Sequence, residues 1–262
     1  MPELIDTLYP RRCPSTGQTC LLCPGQATLI ACLPPEAAYD RQRLRPALAA
    51  ALDPHVVIPM GALDGGHFPL WRHPDPVESA VLLLPEPDPD VPDLAWCAGG
   101  PVGLLDLHAT AQYLRGIGGE DIDRWHSVVA GTPPAMAWWH FVDQHRADPH
   151  RYPLSRAVTD FQAQPRIAAM LDVPGQAYSG DMYGPGLEAL DAGPEDYADY
   201  QAGLLTFSDG LISLDGDLLV PTLSPTLVEQ SLAERRLYHE RACRYVQGLD
   251  PTVVLAAVRC VR

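Results

Sequence analysis

Apolar residues recur in short runs along this chain, and the rhythm of those runs changes twice. Ala27 to Leu33 (ATLIACL) is almost wholly apolar and is closed by Pro34-Pro35, which predicts a buried strand. Glu36 to Asp53 reads as a helix with an alanine-rich second half, and Pro46 inside it predicts a kink or a restart. His55 to Met60 (HVVIPM) reads as a second strand and Ser79 to Leu84 as another, an order that fits a strand–helix–strand crossover. Residues 85–93 (PEPDPDVPD) alternate proline with acid and predict an exposed, extended loop. Gly99-Gly100-Pro101 then turns the chain into Val102 to Leu107, read as a strand.

From His108 to about Asp172 the pattern is helical. Glu120 and Asp121 favour a helix start, and Ile122, Trp125 and Val129 form a buried stripe at helical spacing. A second helix is expected near Ala135 to Arg146, and a third from Pro153 that is disturbed at Pro165. Residues 173–194 read as a long Gly- and Pro-rich loop, and Asp215-Gly216 marks a hairpin between apolar runs. Ser224 and Pro225 open a long helix to about Gly248, and Thr252 to Val261 reads as a closing strand. The expected fold class is α+β: a mixed sheet of N-terminal strands, hairpin and C-terminal strand, with a helical middle segment. The divisions are 1–107, a Cys-containing α/β part; 108–193, a helical insertion or cover on the same domain; and 194–262, hairpin, long helix and closing strand.

Charge narrows the partners. All 18 cations among the 262 residues are arginine, there is no lysine, and the net charge is −15 with histidine neutral. Scattered arginines on an acidic chain argue against nucleic acid and anionic membranes, whose phosphates need clustered cations. A cationic, neutral or peptide-borne substrate approaches such a surface more easily, and a protein partner is the further expectation. No apolar run approaches the roughly 20 residues of a membrane span, and Met1 to Arg12 lacks a signal-peptide core, so a cytoplasmic location is expected.

Four places could carry chemistry. The first is Cys13-x6-Cys20-x2-Cys23-x8-Cys32, in which CLLCPG resembles a metal knuckle; paired thiolates of this kind bind zinc or an iron–sulfur cluster. The same cysteines also read as unliganded thiols in packing, and redox pairing of Cys20 with Cys23 is a third reading. The second is Asp106-x-His108 at the end of the expected strand, where both side chains would share a face and ligate a metal or form an oriented base. Its plain alternative is a solvated Asp106 and a His108 that caps the next helix. The third is His140 with Asp143, three apart on a helix behind Trp138 and Trp139; the alternative is a polar helix end. The fourth is Cys97 before Gly99-Gly100, a thiol in a turn that offers amides to an oxyanion. Together these predict a metal-assisted enzyme, using zinc or iron, on a small or peptide-borne substrate. The alternatives are an acidic partner subunit without catalysis and a Cys97 thiol hydrolase or transferase.

Overall fold

The structure is a computed structural model and describes residues 11–12, 19–20, 26–39, 41–52, 58–91, 93–173, 182, 184–221 and 231–261. Its strands are β1 (Arg11–Arg12), β2 (Thr19–Cys20), β3 (Gln26–Leu33), β4 (Ile58–Leu63), β5 (Phe68–Leu70), β6 (Glu86–Pro87), β7 (Ala95–Cys97), β8 (Gly99–Pro101), β9 (Gly210–Ile212), β10 (Leu218–Leu219) and β11 (Val254–Val261). Its helices are α1 (Glu36–Tyr39), α2 (Arg41–Leu52), α3 (Pro76–Val81), α4 (Leu107–Val128), α5 (Trp138–Ala147), α6 (Leu154–Gln162), α7 (Pro165–Leu171), α8 (Pro185–Ala192), α9 (Pro194–Phe207) and α10 (Leu232–Gln247). The fold class is α+β.

The chain forms two compact units. The sheet unit comprises Pro24–Leu114, Ala202–Pro221 and Arg236–Arg262; the helical unit comprises Met1–Cys23, Arg115–Gln201 and Thr222–Arg235. In the sheet unit the strand order is β10-β9-β3-β11-β4, with β9 parallel to β3 and β11 antiparallel to β3 and β4. The closing strand thus returns to the first sheet and lies between β3 and β4, so the expected crossover is split by β11. β8 pairs with Val254 to Ala256, and β4 with Val258 to Val261, along the same edge of β11.

Both faces of this sheet are covered, which explains its runs of apolar residues without clean alternation. Leu29, Ala31, Leu33, Val254, Ala256 and Val258 face Leu44 and Leu52 of α2. Ile30, Cys32, Leu255 and Ala257 face the other core, with Tyr238, Ala242 and Val246 of α10. A small sheet of order β5-β7-β6 adds Phe68, Leu70, Ala95 and Cys97 to that second core. The acidic loop is exposed at its two-residue edge strand β6, where proline costs no ladder bond, and Asp88 holds it to the Trp96 indole at 2.6 Å.

In the helical unit the expected stripe is present: Ile122, Trp125 and Val129 are buried. Trp138 and Phe141 of α5 meet Phe161 of α6 edge to face, at 5.2 and 5.6 Å. Arg166 bonds Asp191 and lies 5.4 Å over the Trp125 ring.

Several expectations are corrected. Residues 76–81 are helix, not strand, because Asp75 accepts the amides of Val77 and Glu78 while Glu78 reaches back to Asp75, a full capping box. Val102–Leu104 is a 3₁₀ turn, not a strand, drawn against the closing loop where Val102 and Gly103 donate to the Val253 and Pro251 carbonyls. Glu120 and Asp121 lie inside α4, which starts thirteen residues earlier by its own cap. Residues 185–192 are helical rather than loop, opened by Pro185. Of the expected second strand, Ile58 to Met60 lie in β4, which runs on to Leu63, and His55 to Val57 lie outside the described residues. Ser224 and Pro225 lie outside the described residues; α10 begins behind Ser231 and Glu234, which cap each other reciprocally at 3.0 and 3.2 Å.

Candidate functional site

In the sheet unit, β5 ends at Leu70 and hands the chain to Trp71 and Arg72; α3 and the start of α4 approach the same place. Between them lies an open cleft of ≈ 210 Å³, lined by Pro69, Leu70, Trp71, Arg72, Pro74, Glu78, Leu82, Leu104 and Asp106. Leu70 and Leu82 are buried and give it an apolar floor. Trp71 is 36% exposed, and its ring packs edge-on to Tyr113 of α4 with centroids 4.8 Å apart, which fixes one wall.

The polar lining is specific. Arg72 donates to Glu78 through both terminal nitrogens, with Nη1 2.6 Å from Oε2 and Nη2 on Oε1. The hydrogen bond and charge of Arg72 hold the Glu78 carboxyl below the usual carboxylate range, and the same contact raises Arg72. Asp106 precedes α4, and its Oδ1 accepts the Ala109 amide at 2.8 Å, so the carboxylate is placed by capping the helix. Among the described residues no hydrogen bond to Asp106 Oδ2 is made.

Asp106 is therefore at the cleft, but not through the strand geometry expected. It caps a helix, and His108 is one residue inside that helix, where positions two apart point about 200° around the axis from each other. His108 is exposed and its Nε2 lies 3.0 Å from Gln112 Nε2, one turn on. His140 makes the corresponding contact to Gln144 at 2.8 Å, and Asp143 pairs with Arg146 at 3.1 Å; His140 and Asp143 are exposed, on α5 of the helical unit.

Cys97 is fully buried in the core of the sheet unit. Burial pushes its thiol up to about 12, against a smaller opposing effect of the Gly99 amide. Cys32, next to the last residue of β3, is buried in the same core and pushed up to about 12 by the same cause. Cys13 and Cys23 lie outside the described residues, and Cys20 is placed only as part of β2. Among the described residues no three His, Cys, Asp or Glu side chains cluster as a metal would need. Among them, too, no helix is long and apolar enough to cross a membrane.

No family model, curated protein or solved structure matches this chain.

Of the cleft residues, only Asp106 stood out in the sequence as a candidate. The readable signal was Asp75-Pro76-Val77-Glu78, a capping sequence that puts Glu78 on the first turn of a helix facing the residues just after β5.

Proposed function

We propose that this chain binds a small organic cation, or the basic side chain of a peptide, in the cleft between β5, α3 and the start of α4. The observation that carries the reading is the lining: the Trp71 wall, the carboxylates of Glu78 and Asp106, and a leucine floor. An aromatic face beside carboxylates complements an alkylammonium or guanidinium group, whose apolar stem can rest on the floor. One guanidinium against two carboxylates leaves the lining negative, and a chain charge of −15 favours the approach of cations. At ≈ 210 Å³ the cleft is smaller than the roughly 300–1,000 Å³ of drug-sized sites, which suits a head group or side chain rather than a large cofactor.

Calorimetric titration with tetramethylammonium and arginine amide, against acetate, tests this. Binding of the cations but not acetate is expected, weakened about two- to fivefold by Trp71→Ala. Asp106→Asn, which keeps the helix cap while removing the charge, should weaken it as well. Equal binding of acetate, or binding unchanged in both variants, would overturn the reading.

The metal-assisted enzyme expected from Asp106 and His108 is kept only as an alternative, since Asp106 lines the cleft while His108 turns away toward Gln112. Metal analysis of the purified protein decides it: stoichiometric zinc or iron supports it, and trace occupancy removes it.

A further inference from the structure

The cleft carries its own cation. Arg72 and Glu78 differ sharply in how firmly each is held: the Glu78 side chain is 20% exposed, while that of Arg72 is 66% exposed. Glu78 sits on the first turn of α3, and its Oε2 also accepts the Asp75 amide at 3.2 Å, so the capping box fixes the carboxylate independently of Arg72. Arg72 is the second residue beyond β5 and lines the cleft, with its guanidinium hydrogen-bonded only to Glu78 among the described residues. The pair is a fixed acceptor and a movable donor.

We propose that the group this cleft selects is a guanidinium, and that Arg72 is a tethered competitor occupying the ligand's place on Glu78. The inference rests on the cation-binding reading above. An incoming guanidinium reproduces the two parallel N–H···O bonds that Arg72 now makes, whereas an ammonium supplies a point charge without that planar fork. It also stacks on the Trp71 indole beside Glu78, and Arg72 swings into water, where a solvated guanidinium loses little. Ligand binding is thereby an exchange of one guanidinium for another, and Arg72 sets how weakly the cleft binds anything less well matched.

The test uses methylguanidinium and methylammonium titrated into the whole chain, as wild type and as the variants Arg72→Ala and Glu78→Gln. Glutamine still serves the capping box, so Glu78→Gln separates loss of charge from loss of the helix. Arg72→Ala should tighten methylguanidinium about two- to fivefold, the range expected when one exposed ion pair stops competing. Methylammonium should gain less, and Glu78→Gln should abolish the preference for methylguanidinium. If both cations bind but Arg72→Ala weakens them, or the two cations bind equally in every variant, the competitor role is wrong while the cation site stands. If neither cation binds any form, the cation site itself is wrong.

Discussion

The thiol of Cys97 offers a quantitative test of how the sheet unit is packed. At its ordinary value of 9.0 about one per cent of such thiols are ionised at pH 7; raised to about 12, the thiolate fraction falls about a thousandfold. Burial lowers reactivity further, because the side chain is fully enclosed in the second core and reacts only when that region opens. The perturbation is iodoacetamide at neutral pH, with labelling followed per cysteine by mass spectrometry in the native and the urea-unfolded protein. Cys97 and Cys32 should label at least about a thousandfold more slowly in the native state, while the half-buried Cys243 labels faster than either. Native Cys97 reacting as fast as unfolded Cys97 would refute the burial argument and restore an activated nucleophile to the Gly99-Gly100 turn.

Three further outcomes follow from the same unit and its neighbour. Gly99 has φ +145°, and a Cβ there would lie 1.9 Å from the Leu255 carbonyl oxygen, so Gly99→Ala should cost at least about 3 kcal/mol in urea unfolding. Gly216 also has a positive φ but open space around it, so Gly216→Ala should cost only about 1 kcal/mol; equal losses would show that the close approach at Gly99 contributes nothing. His67 is held below its ordinary 6.5 by burial, against the opposing pull of the Thr206 carbonyl and Asp64. The unfolded chain therefore takes up the proton first, and stability is full above pH 6.5 and declines as pH falls through 6.5 toward the folded value. His67→Gln should lose that share of the decline, read as a smaller drop in urea midpoint between pH 8 and pH 5.5. In the helical unit, Arg166→Met removes the bonds to Asp191 and Thr132 and should cost about 1–3 kcal/mol by thermal unfolding.

What the sequence makes legible is what local periodicity encodes. β3 and β11 stand out because strands covered on both faces must be apolar throughout, and the hairpin at Asp215-Gly216 because its turn needs that glycine, with φ +86°. Helices α8 and α9 are hidden by the residues that start them: Pro185 and Pro194 read as loop in isolation, yet proline in a first helical turn loses no bond. His239 on α10 is buried although no sequence pattern marks it, because its ring packs against the bare Cα of Gly203 on α9, where a Cβ would meet it at 1.9 Å. The site shows the same division. Asp106 was visible from its spacing to His108, while Trp71, Arg72 and Glu78 acquire meaning only when 69–74, 78–82 and 104–106 meet, a convergence no periodicity records.

The central claim is that cations enter beside Trp71, and the indole ¹⁵N–¹H resonance of that residue reports it directly. Titrating arginine amide into ¹⁵N-labelled protein should move the Trp71 signal saturably, while the indoles of buried Trp125 and Trp138 stay in place. A saturable binding isotherm by calorimetry with no movement at Trp71 would put the cation elsewhere and contradict the account.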